Sequence, residues 1–185
     1  MSIYHDCNYY AIVHSAAGRL AAGKGGQMNE GKVFEQDFKK SVPEDVYYLR
    51  LHDSSIGFDI ENSTQRFALK SPYDVILFRY PVMYCLELKS TKSGRVSFAG
   101  TQPMIRDHQI RELIKAAQYQ CRSGFVINFR DTDHTYYIPI SAFSAFTHER
   151  TEKKSMNEAD ARGIGVWIPH RKLKVHYRYD LSVLF

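Results

Sequence analysis

Asp74, Glu87 and Lys89 lie in two strongly β-prone runs, Asp74–Tyr80 and Val82–Ser90, which meet at Tyr80–Pro81. If the runs fold back symmetrically, Arg79 stands opposite Val82, and counting back along both strands sets Asp74 opposite Glu87. Directly opposed residues of an antiparallel pair have Cβ atoms about 4.5–5.5 Å apart. Lys89, two residues beyond Glu87, shares that face, whose remainder, Ile76, Phe78, Met83 and Cys85, is apolar. Two carboxylates at the end of an apolar stripe repel each other with little water to screen them. A divalent cation turns that repulsion into attraction. Mg2+ suits such a place, because it takes one or two carboxylates and fills its shell with water and phosphate oxygens. A neighbouring lysine could then orient an attacking water and stabilise charge on a phosphate. Pro81 fits poorly at the second corner of a two-residue turn, so a cis bond or a longer loop is expected there.

The elements that must hold these residues follow from periodicity and breakers. Asn29 is a fitting N-cap for a helix to about Lys40, with Phe34 and Phe38 on one face. Val46–His52 alternates as a strand, the segment from His52 to Ser71 is polar and irregular, and Phe67–Leu69 re-enters a strand. Asp107 opens a second helix with Ile110, Leu113, Ile114, Ala117 and Cys121 on one face, and Gly124 is expected to stop it. Phe125–Arg130 and Thr135–Ile140 form a further hairpin, Ser141–Phe146 opens a third helix, and Val166–Ile168 and Lys174–Leu181 are final strands. The order calls for one mixed sheet flanked by helices, an α/β (α+β) architecture. Residues 1–28, rich in small residues, are expected to be a flexible arm, with one domain over 29–185.

Of 185 residues, 44% are hydrophobic, which excludes a wholly disordered or fibrous chain, and no apolar run approaches the roughly 20 residues of a membrane span. The three cysteines, Cys7, Cys85 and Cys121, are too few and too scattered for a disulfide framework, which suggests a reducing, cytoplasmic setting. The formal charge is +5, and Arg150–Arg178 alone holds eight Lys/Arg against three acids. Within that segment Lys153, Lys154, Arg171, Lys172 and Lys174 are candidates to grip a DNA backbone, interleaved with His170, His176, Tyr177 and Tyr179.

Ser71–Pro72–Tyr73–Asp74 followed by Glu87–Leu88–Lys89 resembles the (P)D…(D/E)xK signature of the PD-(D/E)XK nuclease superfamily. Further stretches resemble the RecU Holliday junction resolvases in particular. Asn29–Phe38 is similar to that family's opening helix, Ser97–Phe98 with Asp107–His108–Gln109–Ile110 to its S-F…H-Q-I stretch, and Lys153–Lys154–Ser155–Met156 to a basic segment; together they span about residues 29–180. The resemblance implies a restriction-endonuclease-like core. The activity it implies is that of an Mg2+- or Mn2+-dependent endonuclease, acting as a homodimer on four-way (branched) DNA in recombination and repair. It assigns Asp74 and Glu87 as metal ligands, the Leu88 carbonyl as a further ligand, and Lys89 as the catalytic lysine. Glu35 becomes an outer ligand or water holder, with a solvent-facing helix acid as the plain alternative. Gln102 or Gln109 would meet the scissile phosphate or a metal-bound water, with Tyr73 and His108 near the DNA.

The chain departs from the family at Glu30, where the family tends to carry Arg, at Tyr73, where it carries Thr, and in the short His52–Ser71 segment, where it inserts a projecting stalk. Two other readings stay open. One is another PD-(D/E)XK nuclease, such as a nickase or a phage recombination nuclease. The other is a non-catalytic branched-DNA-binding protein, against which the intact Asp74, Glu87 and Lys89 set argues.

Overall fold

The computed structural model describes residues 29–58 and 65–185; the expected arm over residues 1–28 lies outside them. The chain runs α1 (Glu30–Ser41), β1 (Tyr47–Arg50), β2 (Ser54–Phe58), β3 (Gln65–Leu69), β4 (Val75–Arg79), β5 (Val82–Thr91), β6 (Arg95–Ser97), α2 (Asp107–Gln118), β7 (Arg122–Phe129), β8 (His134–Pro139), α3 (Ile140–Glu149), β9 (Ser155–Asn157), α4 (Glu158–Ile164), β10 (Val166–Trp167), β11 (His170–Lys172) and β12 (Tyr177–Tyr179), closing in a 3-10 turn at Leu181–Leu184. A six-stranded sheet has the order β1-β4-β5-β7-β8-β10. Only β5 and β7 pair in parallel within it, joined through the α2 crossover. Three two-stranded ribbons, β2–β3, β6–β9 and β11–β12, stand apart from it.

Both faces of the sheet are covered. On one, Phe34 and Phe38 of α1 pack against Val75, Leu77, Leu86 and Leu88 with Tyr179 and Leu181 from the chain's last segment. On the other, Leu113 and Ala116 of α2 and Phe143 and Phe146 of α3 cover Cys85, Phe125, Ile127 and Ile138. The α1 layer is fastened by a buried acid. Asp37 accepts hydrogen bonds from the Tyr177 N–H at 2.9 Å and from His176 Nδ1 at 2.8 Å. One turn on, the Tyr179 N–H donates to Ser41 Oγ at 2.9 Å.

Most expected elements are present, with instructive shifts. Ser54–Phe58 pairs with Gln65–Leu69 as a hairpin where the sequence suggests irregular chain. Gly124 does not stop α2, which ends at Gln118; it sits inside β7, where a Cβ would run into the Ile138 carbonyl of β8. Its smallness serves the close approach of two strands. The hairpin faces also differ from expectation. Val75, Leu77 and Leu86 on one face are buried in the α1 layer, while Phe78 and Met83 on the other are 37% and 40% exposed.

Candidate active site

The hairpin around Tyr80–Pro81 has the register obtained by counting: Arg79 faces Val82 and Val75 faces Leu86, and the Tyr80–Pro81 bond is cis. The ladder ends there, so Asp74 stands one step past the last regular pair with its N–H on the Leu86 carbonyl at 3.2 Å. Its Oδ2 accepts a hydrogen bond from the Leu88 N–H at 2.8 Å, which ties the carboxylate to the strand that carries Glu87.

Glu87 is 2% exposed, yet it is an acid. Its Oε1 receives Lys89 Nζ at 2.8 Å and also the Gln109 amide. Gln109 has its orientation dictated by α2. The Arg106 N–H at the start of the helix can only donate, so Gln109 Oε1 accepts it at 2.9 Å and Nε2 is turned to Glu87. Burial, reinforced by the Asp74 charge and opposed by Lys89, pushes the Glu87 carboxyl up to about 7. Glu87 Oε2 and Asp74 Oδ1 face no donor among the described contacts. Two hard oxygens on neighbouring carboxylates, one of them buried, fit a divalent cation. Among the described residues no three His, Cys, Asp or Glu side chains converge, so the remaining ligands would be main chain and water, as Mg2+ accepts.

The other expected site residues are distributed unevenly. Glu35 does not join this group: it forms an ion pair with Arg50 of β1 at 2.7 Å, linking α1 to the sheet edge. Tyr73 turns inward, packed against the α2-side core, with burial and the Cys85 thiol beside it raising its phenol. Gln102 is exposed on the loop between β6 and α2. His108, in the first turn of α2, is held below the usual imidazole range by burial and by the charges of Lys70, Arg106, Lys89 and Arg111. In the basic segment, Lys153 is bound to Asp160 at 2.6 Å and Lys172 to Asp133 at 3.4 Å, while Lys154, Arg171 and Lys174 are exposed.

Lys70, Arg106 and Arg111 escape motif-based reading. Their signal was adjacency: Lys70 directly precedes Ser71–Pro72–Tyr73–Asp74, and Arg106 directly precedes Asp107–His108–Gln109.

The order α1, β1, β4, β5, crossover α2 and parallel β7 defines an α+β protein with a mixed sheet flanked by helices. The chain is 31% identical over 173 residues to the SPbeta prophage-derived uncharacterized protein YotM of Bacillus subtilis (strain 168), covering 86% of each, and it belongs to that protein's family. No protein-family model matches it. Among solved structures, it is similar to Hjc of Archaeoglobus fulgidus, a Holliday junction resolvase, with a TM-score of 0.47 and 15% identity over 74% of this chain and 95% of that one.

Proposed function

We propose that the chain is a metal-dependent DNA endonuclease of the RecU type that resolves four-way junctions by paired phosphodiester hydrolysis. The observation that carries this reading is the gathering of Asp74, Lys89 and Gln109 around the buried Glu87 of β5. Asp74, Glu87 and the Leu88 carbonyl would hold Mg2+ or Mn2+. When bound, such an ion polarises a phosphoryl oxygen and lowers the pKa of water. Lys89, whose ammonium lies 2.8 Å from Glu87 Oε1, would orient the attacking water and offset charge on the phosphate. Gln109 keeps Glu87 aimed through the α2 cap. Backbone contacts by Lys154, Arg171 and Lys174, with lesser contributions from Lys153 and Lys172, would supply affinity independent of sequence.

A homodimer supplies the two active sites that a junction with approximate two-fold symmetry requires. Apolar exposure at the sheet edge supports this: Tyr47 and Leu49 of the outermost strand β1 are 60% and 40% exposed, next to Phe78 and Met83. The test is incubation of the full chain with labelled four-way, forked, duplex and single-stranded DNA, with and without Mg2+ or Mn2+, beside its mass by light scattering. Paired, symmetry-related nicks in the junction by a dimer are expected. Equal cutting of all four DNAs by a monomer would transfer the reading to a nickase, and no cutting of any of them with either metal would end it.

A further inference from the structure

An open cleft of about 900 Å³ is lined by Lys70, the loop 98–103, Arg106 and Asp107. The loop is built, not slack. Ser97 closes it at the far end, its carbonyl accepting the Ile105 N–H at 2.9 Å and its Oγ the Met104 N–H at 3.0 Å. From the side, the Lys154 carbonyl accepts the N–H groups of Phe98 and Ala99 at 3.0 and 3.3 Å. Gly100, at φ +112, makes a turn that a side chain would resist. Phe98, partly buried at the edge of the cleft, meets Phe143 and Phe146 edge-on, at 5.6 and 6.3 Å between ring centres, so its ring is anchored in the core.

Lys70 and Arg106 are exposed, and neither has a carboxylate within ion-pair distance among the described residues. Asp107, the one acid in the lining, opens α2, where helix N–H groups offset its charge. The Arg106 N–H donates to Gln109 Oε1 at 2.9 Å and Gln109 Nε2 donates to Glu87, so the cleft lining adjoins the Glu87 centre.

Resting on the nuclease reading, we propose that this cleft is a phosphate-binding subsite, in which Lys70 and Arg106 grip the DNA strand backbone flanking the scissile phosphodiester. Two cations without ion-pair partners in a mostly polar cleft, whose one aromatic ring is anchored in the core, suit phosphodiester oxygens better than bases.

The experiment measures binding of labelled duplex and forked DNA without metal, across a salt series, for Lys70→Ala/Arg106→Ala and for the length-preserving Lys70→Gln/Arg106→Gln. Lys40→Ala/Lys115→Ala, which removes two exposed charges elsewhere, is the matched control. Each lost phosphate contact should lower the log–log salt slope by about 0.9 and, at about 0.1 M salt, affinity by about eightfold; the double variants should therefore lose roughly 1.8 in slope and roughly sixtyfold in affinity. Lys70→Arg/Arg106→Lys should keep the wild-type slope. Equal slopes for the Gln variant and the control overturn the subsite. Cleavage by the wild type, measured separately with Mg2+, tells the two failures apart. Wild-type cutting with an unchanged variant slope removes the cleft alone. A lowered variant slope in a protein that cuts nothing removes the nuclease reading alone.

Discussion

In the C-terminal segment the acids fold in among the bases. Lys153 meets Asp160, Arg162 meets Glu158, and Lys172 meets Asp133; Arg171, facing Arg178 across the β11–β12 ribbon, and Lys174 keep their charge free. Around Glu87 the arrangement is reversed: Lys70, Arg106 and Arg111 converge on His108 with no ion-pair partner among the described residues. Three of the eight Lys/Arg in Arg150–Arg178 are taken up in ion pairs, whereas none of Lys70, Arg106 and Arg111 is, among the described residues. A potential that attracts a polyanion depends on the charge left outside such pairs. Exposed ion pairs such as those of the tail add little to stability, and they also subtract from the field available to a ligand.

The largest effect that would sharpen this contrast is expected at the carboxylates. Asp74→Asn or Glu87→Gln removes a charge that would hold the cation while keeping shape. Several kcal/mol of transition-state stabilisation at about 1.4 kcal/mol per tenfold corresponds to a loss of roughly a thousandfold in cleavage, with DNA affinity largely retained. Near-normal Mg2+-dependent cutting by both variants would remove the assignment. In the same assay Gln109→Leu, which touches Glu87 but not the proposed metal, is expected to lose about 10–100-fold.

The second effect is a pH dependence. Glu87 is raised from 4.5 to about 7, first by burial and then by Asp74. Its protonated form is therefore favoured by folding, and that contribution is complete below about pH 4.5 and is lost as pH climbs through 7. Metal-free protein should lose thermal stability from about pH 5 to 8 relative to Glu87→Gln. Added Mg2+ should restore it at about pH 8 and not at 5.5, with metal affinity falling roughly tenfold per pH unit below 7. Parallel melting curves for the two proteins across that range would show that Glu87 is not the titrating group.

The smallest effect is expected in the tail. Lys153→Ala should change the salt slope by well under the value of about 0.9 for a full phosphate contact, since Asp160 already holds the ammonium. A full-sized change would erase the distinction between the two regions.

The carboxylate pair was legible because it depends on little beyond local geometry: two adjacent strands, a turn fixed by Pro81, and a side-chain period of two. The helix α1 was legible from Asn29 and the Phe34–Phe38 spacing. Burial was not, because a sheet covered on both faces gives no single apolar alternation, and the face chosen from the sequence is the half-exposed one at Phe78 and Met83. Gly124 was misread because a glycine after a helical pattern looks like a stop, whereas the demand for it comes from Ile138 across the sheet. The short β6, β9 and α4 lie below what periodicity resolves, although Asn157 capping Asp160 marks the start of α4. The cleft cations come from segments more than thirty positions apart, Lys70 and Arg106, so only folding brings them to one cleft.

Asp37 holds Tyr177, and Ser41 holds Tyr179, across nearly the whole described chain. During synthesis α1 is made long before β12, so the apolar side of Phe34 and Phe38 must wait, uncovered by its final partner, until the last strand has emerged. Closure of the α1 layer thus waits on β12, since a contact of such sequence separation forms late. A ribosome stalled before Tyr177 would display a sheet without its clasp, a natural substrate for chaperones and proteases, whereas a chain that has passed Tyr179 closes back on α1.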